Sequence, residues 1–178
     1  GGLGTYTFSS GNVQAILPYW RDSYIGINEA NAAITHVPNV NMDEDRRNEL
    51  VAEARFLRAL MYFNLVRYFG DVPYFDTETN SLENLLVSRD PASMVYEKII
   101  EDLEFGIEHL DTKAEITQHG RASAGAAKTV LAKVYLTRGS LAKRDGGDGT
   151  ADFQMAAQYA KEVMDSTEYS LLTYLPDV

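Results

Sequence analysis

The sequence predicts an all-α protein, because three observations agree. Several long segments carry apolar residues at three- and four-residue steps, which places those residues on one face of a helix. Pro, Gly, Asp and Asn stand at the ends of these segments, where helices start and stop. No segment shows the sustained apolar–polar alternation of a strand. We therefore expect about five main helices joined by long loops.

The first helix is expected from Pro18 to Val37. Pro suits the first helical turn, since its missing N–H would be unpaired there anyway. Pro38 follows the expected end of the helix and prevents its continuation. One face of this helix is predicted to carry Trp20, Tyr24, Ile27, Asn31 and Ile34.

The second helix has the clearest boundaries. Asn41 followed by Glu44 resembles a capping box, Gly70 is expected to close the helix in a left-handed conformation, and Pro73 lies beyond it. The apolar stripe of this helix is predicted to comprise Leu50, Ala54, Leu57, Met61, Leu65 and Tyr68, widened by Phe56, Leu60 and Phe63. We expect this helix at the centre of the core, where Leu57→Ala would cost about 2–5 kcal/mol.

Three more helices follow. Asp90 as cap and Pro91 at the first position begin a helix that reaches about Leu110. Its acidic residues are predicted to form a solvated outer face: Glu97, Glu101, Asp102, Glu104 and Glu108. The other two are expected at about 122–138, closed by Gly139, and at about 151–165.

The last two helices carry a repeat-like pattern. Leu131-Ala132-x-x-Tyr135 matches the first helix of a tetratricopeptide repeat, and Ala156-x-x-x-Ala160 fits the second. Lys128 stands where that repeat usually has an aromatic residue, and the connection is longer than in a compact repeat. The pattern alone fits either a repeat pair or an ordinary helical hairpin.

Composition excludes several classes of function. A net charge of −10 argues against a nucleic-acid surface and against electrostatic attachment to anionic lipid. The 178 residues contain no Cys and no apolar run long enough to span a membrane. The first residues lack the features of a signal peptide, so the chain is expected to begin after one or to be cut from a longer protein.

No catalytic or metal-binding set is apparent, so neither an enzyme nor a cofactor is expected. His36, His109 and His119 lack the spacing of metal ligands. Oxygen ligands alternate in Asp148-x-Thr150-x-Asp152, but no Gly or closing Glu completes a calcium loop, which favours a solvated connection. Arg55, Arg58 and Arg67 line the second helix, and the first two lie three residues apart. They are expected to pair with Glu of neighbouring helices, the alternative being a clamp for a substrate carboxylate.

Four ordered segments resemble the SusD/RagB family. The most specific runs from Asn41 to Phe75 and contains Glu53-Ala-Arg-Phe-Leu-Arg-Ala-Leu-Met-Tyr-Phe-Asn-Leu-Val-Arg-Tyr-Phe-Gly-Asp-Val-Pro-Tyr-Phe75. The other three are Trp20-x-x-x-Tyr24-x-x-Ile27-x-x-x-Asn31, then Gly120-Arg121-Ala122-x-x-x-Ala126-Ala127 through Val130-Leu-Ala-Lys-Val-Tyr-Leu136, and Phe153-x-x-Ala156-Ala157-x-Tyr159-Ala160 through Tyr169-x-Leu171.

The resemblance implies a tetratricopeptide-like helical superhelix and a non-catalytic function at the cell surface. Family members are lipid-anchored outer-membrane proteins that bind oligosaccharides or peptides and pair with a TonB-dependent transporter barrel of the SusC type. The resemblance implies that residues 1–178 form one helical domain, the N-terminal portion of a protein about three times as long. The lipidated Cys and much of the ligand site would then lie outside these residues.

Ligand contacts cannot be transferred from the family motifs. Tyr6 and Phe8 are the aromatic residues of the leading loop, so they are the candidate ligand-binding residues, because aromatic faces stack on sugar rings. Trp20 is interpreted as a core residue. A protein-interaction scaffold without a glycan ligand is the alternative; a groove lined with Arg and Asn would favour the scaffold, and an aromatic platform beside the loops would favour nutrient capture.

Overall fold

The computed structural model of the chain describes residues 13–81, 87–118 and 120–170, and it contains five α-helices. They are α1 (Val13–His36), α2 (Glu44–Phe69), α3 (Ala92–His109), α4 (Ala124–Arg144) and α5 (Thr150–Asp165), with a short 3₁₀ turn over Val37–Asn39. Within these described ranges, strand-like pairing is limited to one bridge between Val72 and Asp90. The predicted all-α fold is confirmed.

Consecutive helices pack against one another in a row, in the order α1, α2, α3, α4, α5. Each helix therefore contacts chiefly the helices before and after it in the chain, as in stacked helical repeats. The two central helices, α2 and α3, bury the most side chains, including Tyr62, Leu65, Ile99 and Leu103.

Gly139 lies inside α4 and does not cap it, which corrects the predicted end of that helix. A Cβ at this position would lie 2.9 Å from Cε1 of Phe153 and 3.1 Å from Cβ of Asp152. The absence of a side chain thus lets α4 and α5 approach closely.

Leu57 is half exposed, so its predicted place in the core is wrong. Tyr68, from the same predicted stripe, is also exposed. The buried residues of α2 instead follow a neighbouring set of positions: Val51, Ala52, Ala54, Arg58, Ala59, Tyr62, Phe63, Leu65 and Val66. Because α2 is apolar around most of its circumference, several stripes fit the sequence, and packing between α1 and α3 selects among them.

Three predicted helix starts are corrected. Pro18 lies inside α1, which begins at Val13. The N-cap of α2 is Asp43, whose Oδ1 accepts a hydrogen bond from the Arg46 backbone N–H at 3.1 Å. Asp90 does not cap α3; its carboxylate accepts instead from the backbone N–H of Tyr74 at 2.8 Å.

Gly70 closes α2 with φ +71°, as predicted, and its N–H donates to the Val66 carbonyl at 3.0 Å. Its ψ of −125° lies outside the left-handed helical well, so the predicted left-handed conformation is met in φ but not in ψ. None of the helices described combines the length and the apolar character needed to cross a bilayer.

Candidate ligand-binding site

The connection between α2 and α3 is held against α1 by side-chain hydrogen bonds. The side-chain amide of Asn31 donates to the carbonyls of Phe75 at 2.9 Å and Thr77 at 3.1 Å. The hydroxyl of Tyr62 accepts from the Phe75 backbone N–H at 2.7 Å. The backbone of this connection is therefore fixed where it passes α1.

A buried ion pair lies beneath this connection. The Nε and Nη2 atoms of Arg58 donate to the two carboxylate oxygens of Asp102 at 2.8 and 2.7 Å, and Nη1 donates to Oδ1 of Asn31 at 2.7 Å. Burial raises the pKa of the Asp102 carboxyl above its usual range, and the hydrogen bonds from Arg58 oppose that rise. The predicted solvated position of Asp102 is thus wrong, because Asp102 is 3% exposed.

Arg58 of α2 forms its ion pair with Asp102 of the neighbouring helix α3. The expected pairing between helices is present for Arg58, although the acid is an Asp and not a Glu. For Arg67 it is wrong, because that guanidinium donates to the Phe63 carbonyl at 3.2 Å and lies over the Phe63 ring at 4.3 Å. Arg55 lies 4.0 Å from the same carboxylate and stacks on the ring of Phe105 at 4.2 Å. Because this bidentate pair occupies Arg58, the structure does not support a clamp for a substrate carboxylate.

Two adjoining cavities follow the outer face of α1, and we call them together the α1 furrow. The inner pocket, about 210 Å³, lies between α1 and the fixed connection. The outer groove, about 520 Å³, runs along α1 towards its N-terminus. Tyr24 and Asn28 line both. The remaining residues of the inner pocket are Ile27, Asn31, Phe75 and Thr79, and those of the outer groove are Leu17, Trp20, Arg21, Ile25 and Glu29.

Aromatic rings form the centre of the α1 furrow. The rings of Trp20 and Tyr24 lie 5.0 Å apart, and Phe75 meets Tyr24 edge to face at 5.9 Å. Burial raises the pKa of the Tyr24 hydroxyl, which stays protonated and donates to the Pro73 carbonyl at 2.8 Å. That hydrogen bond fixes the Tyr24 ring between the two cavities.

Polar groups border these rings. Oδ1 of Asn28 accepts from the Thr79 backbone N–H at 2.7 Å, while its Nδ2 has no partner among the residues described. The guanidinium of Arg21 donates to the Asp22 carboxylate at 2.8 Å. The carboxylate of Glu29 has no cation beside it within the described part of the chain. The furrow thus offers a hydrogen-bond donor, an acceptor and no unbalanced positive charge.

The predicted candidates Tyr6 and Phe8 lie outside the described residues, so their role stays a prediction. Trp20 was interpreted as core; it does pack edge to face on Phe69 at 4.9 Å, but it also lines the α1 furrow. The sequence carried a signal for this surface. Trp20, Tyr24 and Asn28 recur at four-residue steps, and a polar residue continuing an aromatic stripe indicates that the stripe reaches solvent.

The polar side chains of the loop between α4 and α5 have partners within the chain. The Asp152 carboxylate receives two hydrogen bonds from Arg138, at 2.8 and 2.6 Å, and the Thr150 hydroxyl donates to Asp148. In the described ranges, no three His, Cys, Asp or Glu residues are grouped so that they could hold a metal ion. His119 lies outside those ranges, and His36 contacts Glu78 at 2.7 Å.

The chain matches a SusD-like family, described as starch-binding and associating with the outer membrane, over residues 6–136. It is 38% identical to SusD-like protein P2 of Formosa agariphila over 162 residues, which are 89% of this chain and 29% of that relative. The chain thus spans under a third of the length of this relative.

Solved structures of similar fold include two described with glycans. One is described as a laminarin-binding SusD-like protein, with 37% identity, a TM-score of 0.72, and coverage of 86% of this chain and 32% of that one. The other is a structure with a xylogluco-oligosaccharide, with 30% identity, a TM-score of 0.79, and coverage of 90% and 31%. Since the family match extends over well more than half of its residues, the chain belongs to the SusD-like family.

Proposed function

We propose that the protein to which this chain belongs captures oligosaccharides at the cell surface and is not itself an enzyme. Family membership carries this proposal, and two similar structures described with glycans support it. Residues 1–178 would form one helical domain of a longer protein and supply its superhelical scaffold together with one ligand-facing surface.

The aromatic surface favours nutrient capture over a protein-interaction scaffold. A scaffold was expected to present a groove lined with Arg and Asn, whereas aromatic rings beside a loop were expected for capture. The α1 furrow meets both descriptions, because Arg21, Asn28 and Asn31 line it together with Trp20, Tyr24 and Phe75. The rings favour capture, since Arg21 is already paired with Asp22 and the Asn31 amide with the connection between α2 and α3. Flat rings that are partly open to solvent offer the faces on which the C–H side of a sugar ring packs.

The captured glycan would be passed to a TonB-dependent transporter barrel of the SusC type. Family resemblance supports this partner, as it supports an outer-membrane lipid anchor outside these residues. None of the helices described could replace such an anchor by spanning the bilayer. Charge supports a neutral ligand more than a nucleic acid, since the chain carries −10.

Calorimetry of the full-length protein against a panel of oligosaccharides and peptides tests the proposal. We expect binding to at least one oligosaccharide, with the glycan recovered unchanged after prolonged incubation. Binding of peptides alone, or release of shortened products, would contradict it. Co-purification with the SusC-type transporter barrel, with and without residues 1–178, tests whether the helical part is the surface that docks on the barrel. If the barrel is retained equally well without these residues, the helical part is not that surface.

A further inference from the structure

We propose that the α1 furrow is a binding site for a neutral oligosaccharide that lies along α1, with one pyranose ring in the inner pocket beside Tyr24 and Phe75. This inference rests on the proposed function and adds to it a location and a class of sugar. It assigns the contact surface to the described helices and does not involve Tyr6 or Phe8.

The dimensions of the furrow fit a short run of sugar rings. Its outer groove extends along α1 from Leu17 to Glu29, about 18 Å at the rise of an α-helix. Its inner pocket, at about 210 Å³, has room for a single ring. Because Tyr24 and Asn28 line both cavities, the two cavities adjoin, and neighbouring rings of one oligosaccharide could occupy both.

Hydrogen bonds hold parts of this surface in place without a ligand. The Tyr24 ring is fixed by its hydrogen bond to Pro73, and the Phe75 backbone is held by Asn31. Asn31 is itself fully buried and accepts from the buried Arg58. A site whose side chains are already ordered loses less entropy on binding, so this network favours recognition over a purely structural gap.

The chemistry of the lining suits the two faces of a pyranose. Trp20 and Tyr24 supply ring surface, and Leu17 and Ile25 extend it with exposed apolar side chains. Asn28 keeps its amide donor free among the described residues, at the junction of the two cavities, where it can reach a sugar hydroxyl. Apolar surface edged by a few amide and carboxylate groups is the usual arrangement for a small-ligand site.

Charge selects the class of sugar. Among the described residues, the only cation lining the furrow is Arg21, whose charge is balanced by Asp22, while Glu29 adds a carboxylate. A uronate or sulfate group would therefore meet net negative charge and would compete with Asp22 for the one cation there. Neutral glucans or similar oligosaccharides are the ligands that this lining favours.

Ile25→Asp and Leu136→Asp form a matched pair for the test, made in the full-length protein. Both side chains are 53% exposed, but Ile25 lies in the furrow and Leu136 lies on α4. By calorimetry with laminari- and xylogluco-oligosaccharides, we expect Ile25→Asp to weaken binding at least tenfold and Leu136→Asp to leave it within twofold. Equal affinities of the two variants would overturn the assignment.

Asn28→Asp and Gln154→Glu form a second pair, each adding one negative charge. Asn28→Asp keeps the oxygen that accepts from Thr79 but removes the amide donor, whereas Gln154 is exposed on α5, away from the furrow. We expect at least a tenfold loss for Asn28→Asp alone. Unchanged thermal unfolding of both variants would show that the loss is not caused by misfolding.

Oligosaccharide binding by the wild-type protein distinguishes a failure of the proposed function from a failure of the furrow assignment. If the wild-type protein binds no oligosaccharide, the proposed function fails and the furrow assignment fails with it. If the wild-type protein binds oligosaccharides and Ile25→Asp and Asn28→Asp bind them as tightly as the wild type does, only the furrow assignment is wrong. Tighter binding of uronate or sulfated oligosaccharides than of neutral ones would overturn the class of sugar.

Discussion

Arg58 connects three parts of the molecule through one guanidinium group. It lies on α2, its carboxylate partner Asp102 lies on α3, and its third contact, Asn31, lies on α1. It also donates to the Asp76 carbonyl of the connection at 3.3 Å. A charge buried this deeply is tolerated because each of its three nitrogens donates to an acceptor. One of these acceptors, Asn31, also lines the inner pocket.

Removal of the buried acid is expected to be costly. In Asp102→Ala the Arg58 charge would remain buried without its carboxylate, so we expect a loss of about 3–5 kcal/mol in the free energy of unfolding. Glu101→Ala, one position away, removes an exposed partner of Lys98 and should leave the free energy of unfolding nearly unchanged. Urea denaturation of the two variants provides the measurement; similar losses would show that the buried pair is not a major source of stability.

Leu57 lies on the exposed side of α2, and Leu65 lies on its buried side. Leu57 is 50% exposed and Leu65 is fully buried. We therefore expect Leu65→Ala to cost about 2–5 kcal/mol in unfolding free energy and Leu57→Ala about 1 kcal/mol or less, since only the first leaves a cavity. Denaturant unfolding of both variants tests this order. A larger loss of unfolding free energy for Leu57→Ala than for Leu65→Ala would show that Leu57 is a core residue.

At the scale of single elements, the end of α2 depends on backbone conformation more than on packing. A Cβ at Gly70 would meet no atom within 4 Å, so Gly70→Ala adds no steric clash and reports only the positive φ. We expect a loss of about 1–3 kcal/mol in unfolding free energy, the usual cost of forcing an L-residue into such a conformation.

Gly106→Ala is the control for this variant. Gly106 lies inside α3, where an added Cβ would make ordinary contacts at 3.5 Å with Ala127 and Leu110. Ala in a helix interior should leave stability unchanged or raise it by about 0.5–1 kcal/mol, because it restricts the unfolded chain. If both glycine variants lose equally, the conformation of Gly70 is not what limits substitution there.

Helices could be predicted from the sequence because the periodicity that specifies them is local. Their first residues were harder, since Asn39, Asn41 and Asp43 can all cap a helix and tertiary packing chooses among them. The buried pair of Arg58 and Asp102 joins residues 44 positions apart, and no local pattern encodes that contact. Of the α1 furrow, only the aromatic stripe on α1 could be recognised in the sequence. Its other wall is formed by Phe75 and Thr79 of the connection between α2 and α3, far away in the sequence.

At the scale of the whole molecule, the row of helices makes stability uneven along the chain. The central helix α2 buries nine side chains between two neighbours, whereas α5 packs on α4 and buries only Ala156. In stacked arrays, each element is stabilised chiefly by the interfaces with its neighbours. Among the described helices, α5 contacts one neighbour, and a helix with one interface opens more readily than a helix with two.

Hydrogen exchange of the isolated 178-residue chain should reveal this gradient. We expect amides of α5 to exchange by opening reactions that cost several kcal/mol less than those of α2 and α3, because opening α5 exposes little buried apolar surface. Mass spectrometry with peptide-level resolution would measure both segments in one experiment. The destabilised variant Leu65→Ala should speed exchange in α2 and leave α5 nearly unchanged if α5 already opens on its own. Equal protection of α5 and α2 in the unmodified chain would mean that the helices unfold as one cooperative unit, and the nearest-neighbour description of this fold would be wrong.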